Sequence, residues 1–192
     1  MGGTTIAVRG ARPGDAEAMA EVFREAGAAG WRHFLPEEEL RAEPLRPGVY
    51  AAGIGAPETR VFVAEAASAE AASTGAASAD GGGADGPPSG RIAGFALWRP
   101  PVDPAAPCDE AELHLFYAHP DHWGDGTARL LMDAVLASMR SEGRRRATLW
   151  TAELNHRPRA FYQREGWEPD GGRRSKTRNG VTFTELRYAL DL

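Results

Sequence analysis

The sequence holds a single cysteine in 192 residues. Cys108 alone cannot form an internal disulfide, and its solitude fits a reducing compartment. It stands among prolines with no basic neighbour to lower its pKa, which removes the case for a catalytic thiol. No long uncharged apolar run is present, so no membrane span is expected. The opening residues, Met1-Gly2-Gly3-Thr4-Thr5, lack both the basic start and the apolar stretch of a secretion signal, and the cytoplasm is the expected location. Basic residues are not in excess either. The formal net charge of −5 offers nothing to nucleic acid or an acidic membrane and mildly favours a cationic partner. What is there is ordinary for a globular protein: 42% hydrophobic and 26% charged residues, in a length that suits one domain with a real core.

Apolar periodicity sets out the elements. Residues 6–9 read as a short strand. Pro13-Gly14 marks a turn and Asp15 an N-cap, after which Ala18, Met19, Val22, Phe23 and Ala26 recur at helical spacing. A second helix is expected from about Pro36-Glu37-Glu38-Glu39-Leu40, where a proline and acidic residues suit a helix start. Residues 59–65 and 91–99 read as strands. The tract between them, 66–90, is almost wholly Ala, Ser, Gly, Asp and Pro and has no large apolar side chains to offset its ordering entropy. It is expected to be a disordered insertion in a hairpin connection. A strand at 111–118 leads into a helix at 127–143, with Leu130, Leu131, Ala134, Val135 and Met139 as its buried stripe and Gly143 as its C-cap. Then follow a strand at 147–153, a short helix at 158–165 closed by Gly166, and a hairpin of 173–178 and 181–190 around Asn179-Gly180. This order predicts one α/β domain over 5–192, a central mixed β-sheet flanked by helices on both faces.

The stretch AELHLFYAHPDHWGDGTARLL, 111–131, runs from strand to turn to helix with almost no slack. Gly124 and Gly126 let the backbone approach a ligand closely, and the free N–H groups opening the helix would face it. An anion such as a pyrophosphate can be held this way without a lysine. A Gly-x-Gly also fits a plain tight turn, and Arg129 stands where a dinucleotide fingerprint needs its third glycine. His114, His119 and His122 match no compact zinc spacing and no cysteine pair assists them, so no metal is expected. Arg144-Arg145-Arg146, just past a helix C-terminus, read as a solvated basic face.

Residues 120–131 resemble motif A of the GNAT superfamily of N-acetyltransferases, Gln/Arg-x-x-Gly-x-Gly/Ala. Trp123, Gly124, Asp125, Gly126, Thr127 and Ala128 fill the six places, Trp123 departing from the usual Gln or Arg. Asn155 is followed seven residues later by Tyr162 inside NHRPRAFYQREGW. That is similar to motif B, where the pair precedes a Gly-aromatic step, here Gly166-Trp167. The resemblance implies acetyl-CoA as cosubstrate, bound by Ala118, Gly124, Asp125, Gly126, Thr127 and Ala128. It also implies Asn155 on the pantetheine arm and Tyr162 as the acid that protonates the departing thiolate. The acceptor of relatives sits between the first two helices and the closing hairpin, which nominates Trp31, His33 and Phe34; a homodimer is implied as well. The implied activity is acetyl transfer to a primary amine of a small molecule or peptide, by direct attack in a ternary complex. The alternative is a silent acetyl-CoA-binding sensor or scaffold.

Such a transfer needs a neutral amine, a polarised carbonyl and a proton for the leaving sulfur. A lysine-like amine, with a pKa of about 10.4, is mostly charged at pH 7, so a base is useful. Glu112 and His114, two apart on a strand, share one face about 6.6 Å apart and are the candidate bases. Either can instead be an ordinary polar residue of a strand, just as Tyr162, beside Phe161, can be a core aromatic. A pure binder needs neither acid nor base, so Tyr162 and Glu112 together favour an enzyme. Backbone N–H groups on a splayed fourth strand would steady the oxyanion.

Overall fold

The computed structural model describes residues 5–36, 40–41, 44–67 and 90–192. They form a seven-stranded sheet in the order β1-β2-β3-β4-β5-β7-β6. Its strands are β1 Thr5–Gly10, β2 Arg60–Ala67, β3 Arg91–Arg99, β4 Glu110–Ala118, β5 Arg146–Ala152, β6 Glu168–Arg178 and β7 Val181–Asp191. Every neighbouring pair is antiparallel except β4 with β5. The helices among the described residues are α1 Ala16–Trp31, α2 Pro47–Gly55, α3 Thr127–Ser141 and α4 His156–Arg164. None of them is long and apolar enough to cross a membrane.

Why helices cover both faces is visible in β3. Residues 92–98 are all buried, as in a strand with no solvent side. Ile92, Phe95 and Leu97 pack with Met19 and Val22 of α1 and Tyr50 of α2. Ala93, Ala96 and Trp98 pack on the opposite face with Leu131, Val135 and Met139 of α3. The register steps from Ala64↔Gly94 to Glu65↔Ile92, so Ala93 is the extra residue of a bulge. That bulge shifts the alternation by one and lets Ile92 share a face with Phe95.

Several expectations need correction. Asp15 does not cap α1 with its side chain. It is 1% exposed, takes the Arg9 guanidinium at 2.8 and 2.9 Å, and accepts the Arg12 N–H at 2.7 Å. A buried carboxylate with an arginine in reach is better satisfied by that cation than by a helix N–H. Leu130 is 44% exposed; Met132 and Leu136 complete the buried stripe of α3 beside Leu131, Val135 and Met139. Helix α2 has no counterpart in the expected order. Its start signal, Pro47 in the first turn, is diluted by Gly48, Gly53 and Gly55, and Tyr50 packing on Phe95 stands in for the missing propensity. Of the helix expected to start at about Pro36–Leu40, residues 37–39 lie outside the described residues, but Leu40 and Arg41 are helical as expected, the Leu40 N–H donating to the Pro36 carbonyl oxygen at 3.1 Å, and Leu40 packs with Ala28 and Leu35. Ala66 and Ala67 belong to β2 and pair with Ile6 and Thr5, and the rest of the expected insertion, 68–89, lies outside the described residues.

Candidate active site

Strands β4 and β5 pair only from Glu110↔Arg146 to Leu113↔Leu149. Past Leu113, β4 stays with β3 and β5 stays with β7, so the parallel pair parts. A local cause is the step from Leu97↔Leu115 to Trp98↔Leu113, which leaves His114 as the extra residue of a bulge that bends β4. The β4 backbone groups that face β5 beyond this point have no ladder partner there. A cleft of about 1380 Å³ runs through the gap, larger than the pocket of a single small ligand.

One mouth of the cleft is the loop between β4 and α3. Gly124 and Gly126 have φ of 94° and 98°, a conformation that strains any side-chain-bearing residue. A Cβ on either would meet nothing within 4 Å, so the loop backbone fronts open space. Among the described residues no acceptor is bonded to the N–H groups of Gly124, Asp125 or Gly126. The N–H groups of Ala128 and Arg129 come too early in α3 for helical partners. Asp125 turns back into its own loop, Oδ1 accepting the Thr127 N–H at 2.9 Å and Oδ2 lying 2.8 Å from His122 Nδ1. Burial pushes its pKa up, but these bonds outweigh that and hold it below the usual carboxylate range. Ala118, Gly124, Gly126, Ala128 and Asn155 line the cleft. The side chains of Asp125 and Thr127 do not, since Asp125 is held to Thr127 and His122 of its own loop and Thr127 is wholly buried. Donors without acceptors at the positive end of a helix fit a diphosphate.

The other mouth lies between α1, α2 and the closing hairpin. Trp31 stands edge-on to Phe23 and Tyr117, at 5.7 and 6.2 Å between centroids. His33 Nε2 is 2.6 Å from the Leu154 carbonyl oxygen, and its ring stacks on His156 at 6.1 Å. Phe34 meets Phe183 of β7 at 5.3 Å. All three expected acceptor residues therefore line the cleft. Arg178, which no pattern in the hairpin singles out, lays its guanidinium 4.7 Å from the Trp31 ring.

Glu112 and His114 meet at this mouth, His114 Nδ1 lying 2.9 Å from Glu112 Oε1. Arg99 Nη2 lies 3.1 Å from the same Nδ1 and 3.7 Å from the carboxylate. An arginine only donates, so Nδ1 either accepts from Arg99 or carries its own hydrogen toward Glu112. The His114 hydrogen bond holds the Glu112 carboxyl below the usual carboxylate range against the effect of burial, and the charges of His114, Arg99 and Arg174 add to it. Glu112 is therefore ionised at neutral pH. His119 and His122 go to other partners, Arg91 and Asp125.

Tyr162 reaches the cleft from α4, 7% exposed, its ring packed on Phe116 at 6.2 Å and Trp167 at 6.3 Å. Burial, with a smaller effect of Tyr117, pushes its hydroxyl well above the usual phenol range. The phenol keeps its proton throughout neutral pH.

The parted parallel pair thus has a donor-rich glycine loop at one mouth of its cleft and a carboxylate–imidazole pair at the other. The chain belongs to the acetyltransferase (GNAT) family, whose model matches residues 56–167. No curated protein matches it. Among solved structures it is similar to the PaiA N-acetyltransferase of Thermoplasma acidophilum in complex with coenzyme A, with 16% identity, a TM-score of 0.66, and 98% of this chain and 99% of that chain covered. It is also similar to YncA of Salmonella typhimurium, solved with its cofactor acetyl-CoA, at 15% identity and a TM-score of 0.68, with 97% and 94% covered. The ribosomal-protein-S18-alanine N-acetyltransferase of Escherichia coli is similar at 15% identity and a TM-score of 0.64, again with 97% and 94% covered. At these identities the likeness is one of fold.

Proposed function

We propose that the protein is an acetyl-CoA-dependent N-acetyltransferase that moves an acetyl group onto the primary amine of a small molecule or peptide, by direct attack in a ternary complex. One observation carries this reading: a single cleft through the parted β4–β5 pair joins the donor-rich loop to the Glu112–His114 pair. The loop of Gly124 and Gly126 would take the diphosphate, with Ala118 and Asn155 along the arm that leads to the thioester. Coenzyme A and acetyl-CoA in the structures of PaiA and YncA support that assignment.

Trp31, His33 and Phe34 receive the acceptor. Glu112, or His114 partnered by it, takes the surplus proton of the ammonium directly or through a water. The neutral nitrogen then forms its bond to the carbonyl carbon. The open N–H groups of β4 bond the oxygen as it gains charge. As the C–S bond breaks, Tyr162 gives its proton to the sulfur and regains one shed by the new amide nitrogen. Thioester and amine become amide and thiol, with no net change on Tyr162.

The test is thiol release from acetyl-CoA across a panel of amino acids, polyamines, amine-bearing antibiotics and peptides, alongside thermal shift with coenzyme. Turnover on one amine class together with a coenzyme-dependent rise in melting temperature is the expected result. Coenzyme binding without turnover on any amine would make the protein a sensor or scaffold, and absence of both would overturn the reading.

A further inference from the structure

The anion loop carries no cation. From Trp123 to Ala128 its only charged side chain is Asp125, which is spent on the Thr127 N–H and His122. A cation nevertheless stands at this mouth, supplied by another element. Arg157, in the first turn of α4, places its guanidinium 4.4 Å from the centroid of the Trp123 ring, and both residues line the cleft. Trp123 is itself fixed, its indole N–H donating to the Ala118 carbonyl oxygen at 2.8 Å.

The setting of Arg157 is electrostatically unfavourable as it stands. A positive charge in the first turn of a helix opposes the helix dipole. Among the described residues no carboxylate pairs with Arg157, and the α4 N-cap residue, Asn155, makes no side-chain capping bond. The first turn of α3, with its unbonded N–H groups, opens on the same cleft. Two helix N-termini and a guanidinium thus border one space, and the carboxylate of the loop, Asp125, is already held by the Thr127 N–H and His122. A doubly charged diphosphate relieves all three at once, and the planar fork of arginine suits its oxygens.

We propose that Arg157, held over the Trp123 ring, is a coenzyme-binding residue that donates to the diphosphate and supplies the charge the loop lacks; the proposal rests on the acetyl-CoA reading above. Trp123 acts as a platform that keeps the guanidinium from sweeping through solvent, so little of its freedom remains to be lost on binding.

Calorimetry with coenzyme A and with dephospho-coenzyme A, which lacks only the 3′-phosphate, tests this without any acceptor or turnover. For Arg157→Gln the expected result is a loss of roughly 10- to 100-fold in affinity for both ligands, the range for removing one hydrogen bond to a charged group. The gap to wild type should narrow as salt rises. Arg157→Lys should recover part of the loss, since it restores the charge without the fork, and a merely structural role in starting α4 would give no such charge rescue. Unchanged affinity in Arg157→Gln, beside normal binding by wild type, overturns the proposal and leaves the acetyl-CoA reading standing. A loss seen with coenzyme A and not with dephospho-coenzyme A also overturns it, because the guanidinium would then serve the 3′-phosphate. If wild type binds neither ligand, the acetyl-CoA reading has failed and this proposal falls with it.

Discussion

Replacing Tyr162 by phenylalanine separates the two roles that a buried tyrosine can play. The ring packs among Phe116, Phe161, Trp167 and Tyr188, with centroids 5.7 to 6.3 Å away, and all of that packing survives the change. Only a hydroxyl at the cleft wall is lost, which costs within about 1 kcal/mol in either direction. For a chain of 192 residues that is a melting shift of about 2–4 °C at most. If the hydroxyl delivers the proton to the leaving sulfur, turnover should fall about 10²–10⁴-fold, the usual worth of positioned acid catalysis. That corresponds to roughly 3–5 kcal/mol of barrier, several times the stability change. The assay is thiol release at saturating acetyl-CoA and acceptor, with coenzyme affinity measured separately by calorimetry. Affinity should stay within about threefold, since one neutral hydrogen bond bounds the change. The pH profile adds a second check. Burial raises the Tyr162 pKa, so the acid remains protonated and should impose no alkaline limb below about pH 10. Turnover within twofold of wild type would refute the assignment, whereas an alkaline limb near pH 8 that vanishes in the variant would keep the acid role and refute the raised pKa.

Glu112→Gln should lower kcat/KM most at neutral pH and recover toward pH 9.5, because each pH unit raises the neutral fraction of an amine with pKa near 10 about tenfold. Glu112 is held below the usual carboxylate range and contributes no limb near neutrality, so an acidic limb there that moves in His114→Asn belongs to the imidazole; parallel profiles for wild type and both variants would sink the base assignment. Gly126→Val puts a β-branched residue at φ 98°, and should cost stability of about 1–2 kcal/mol and abolish coenzyme binding measured by calorimetry; unchanged affinity would remove the loop from the site. Asp15→Asn should destabilise the fold by about 1–3 kcal/mol at pH 7 in urea titrations, less than for a fully buried pair because Arg9 keeps Glu65 at 2.7 Å. Burial raises the Asp15 pKa, but the Arg9 and Arg12 bonds lower it more. Its contribution is therefore complete above the unfolded value near 3.9 and lost as pH falls through the folded one. The two stability curves should converge below pH 4, and a constant gap down to pH 3 would show that the charge is irrelevant.

What was legible in the sequence is what the backbone itself demands. Gly124, Gly126, Gly143 and Gly180 all adopt positive φ, and Asn179 beside Gly180 does so at 47°, so turns and helix ends fall where those residues stand. The Gly124–Gly126 loop belongs to this class, because glycines and a helix start set its backbone without help from distant side chains. The rest depends on partners far along the chain. Leu130 and Met132 are both apolar and adjacent to the stripe, and only the seating of α3 on β3 decides that Met132 goes inside. Asp15 has the composition of an N-cap, and Arg9 and Glu65 redirect it. Arg157 was hidden for the same reason, since nothing in NHRPRAFY says that its first arginine has Trp123 as a neighbour in space. Motif spacing marked Asn155 and Tyr162; no spacing marks a contact between α4 and a loop more than thirty residues earlier.

The pairing of β4 with β5 explains why the two halves of the site coincide. Antiparallel neighbours can be joined by a tight turn, but a parallel neighbour requires a crossover, here α3. The crossover must start at the C-terminal end of β4, so the N-terminus of α3 and its unbonded N–H groups are planted at that edge of the sheet. The same end of β4 is where twist and the His114 bulge carry it away from β5. One β–α–β unit therefore makes the proposed anion site and the opening beside it, and neither can be moved without the other. Helix α4 leaves the matching end of β5, which brings Asn155, Arg157 and Tyr162 to the far bank of the same opening. The proposed acceptor side has no such constraint, being lined by the end of α1, α2 and the β6–β7 hairpin. If the proposed function holds, substitutions in Trp31, Phe34 or Phe183 should change the acceptor while leaving coenzyme binding untouched, whereas nothing that closes the gap between β4 and β5 should spare either.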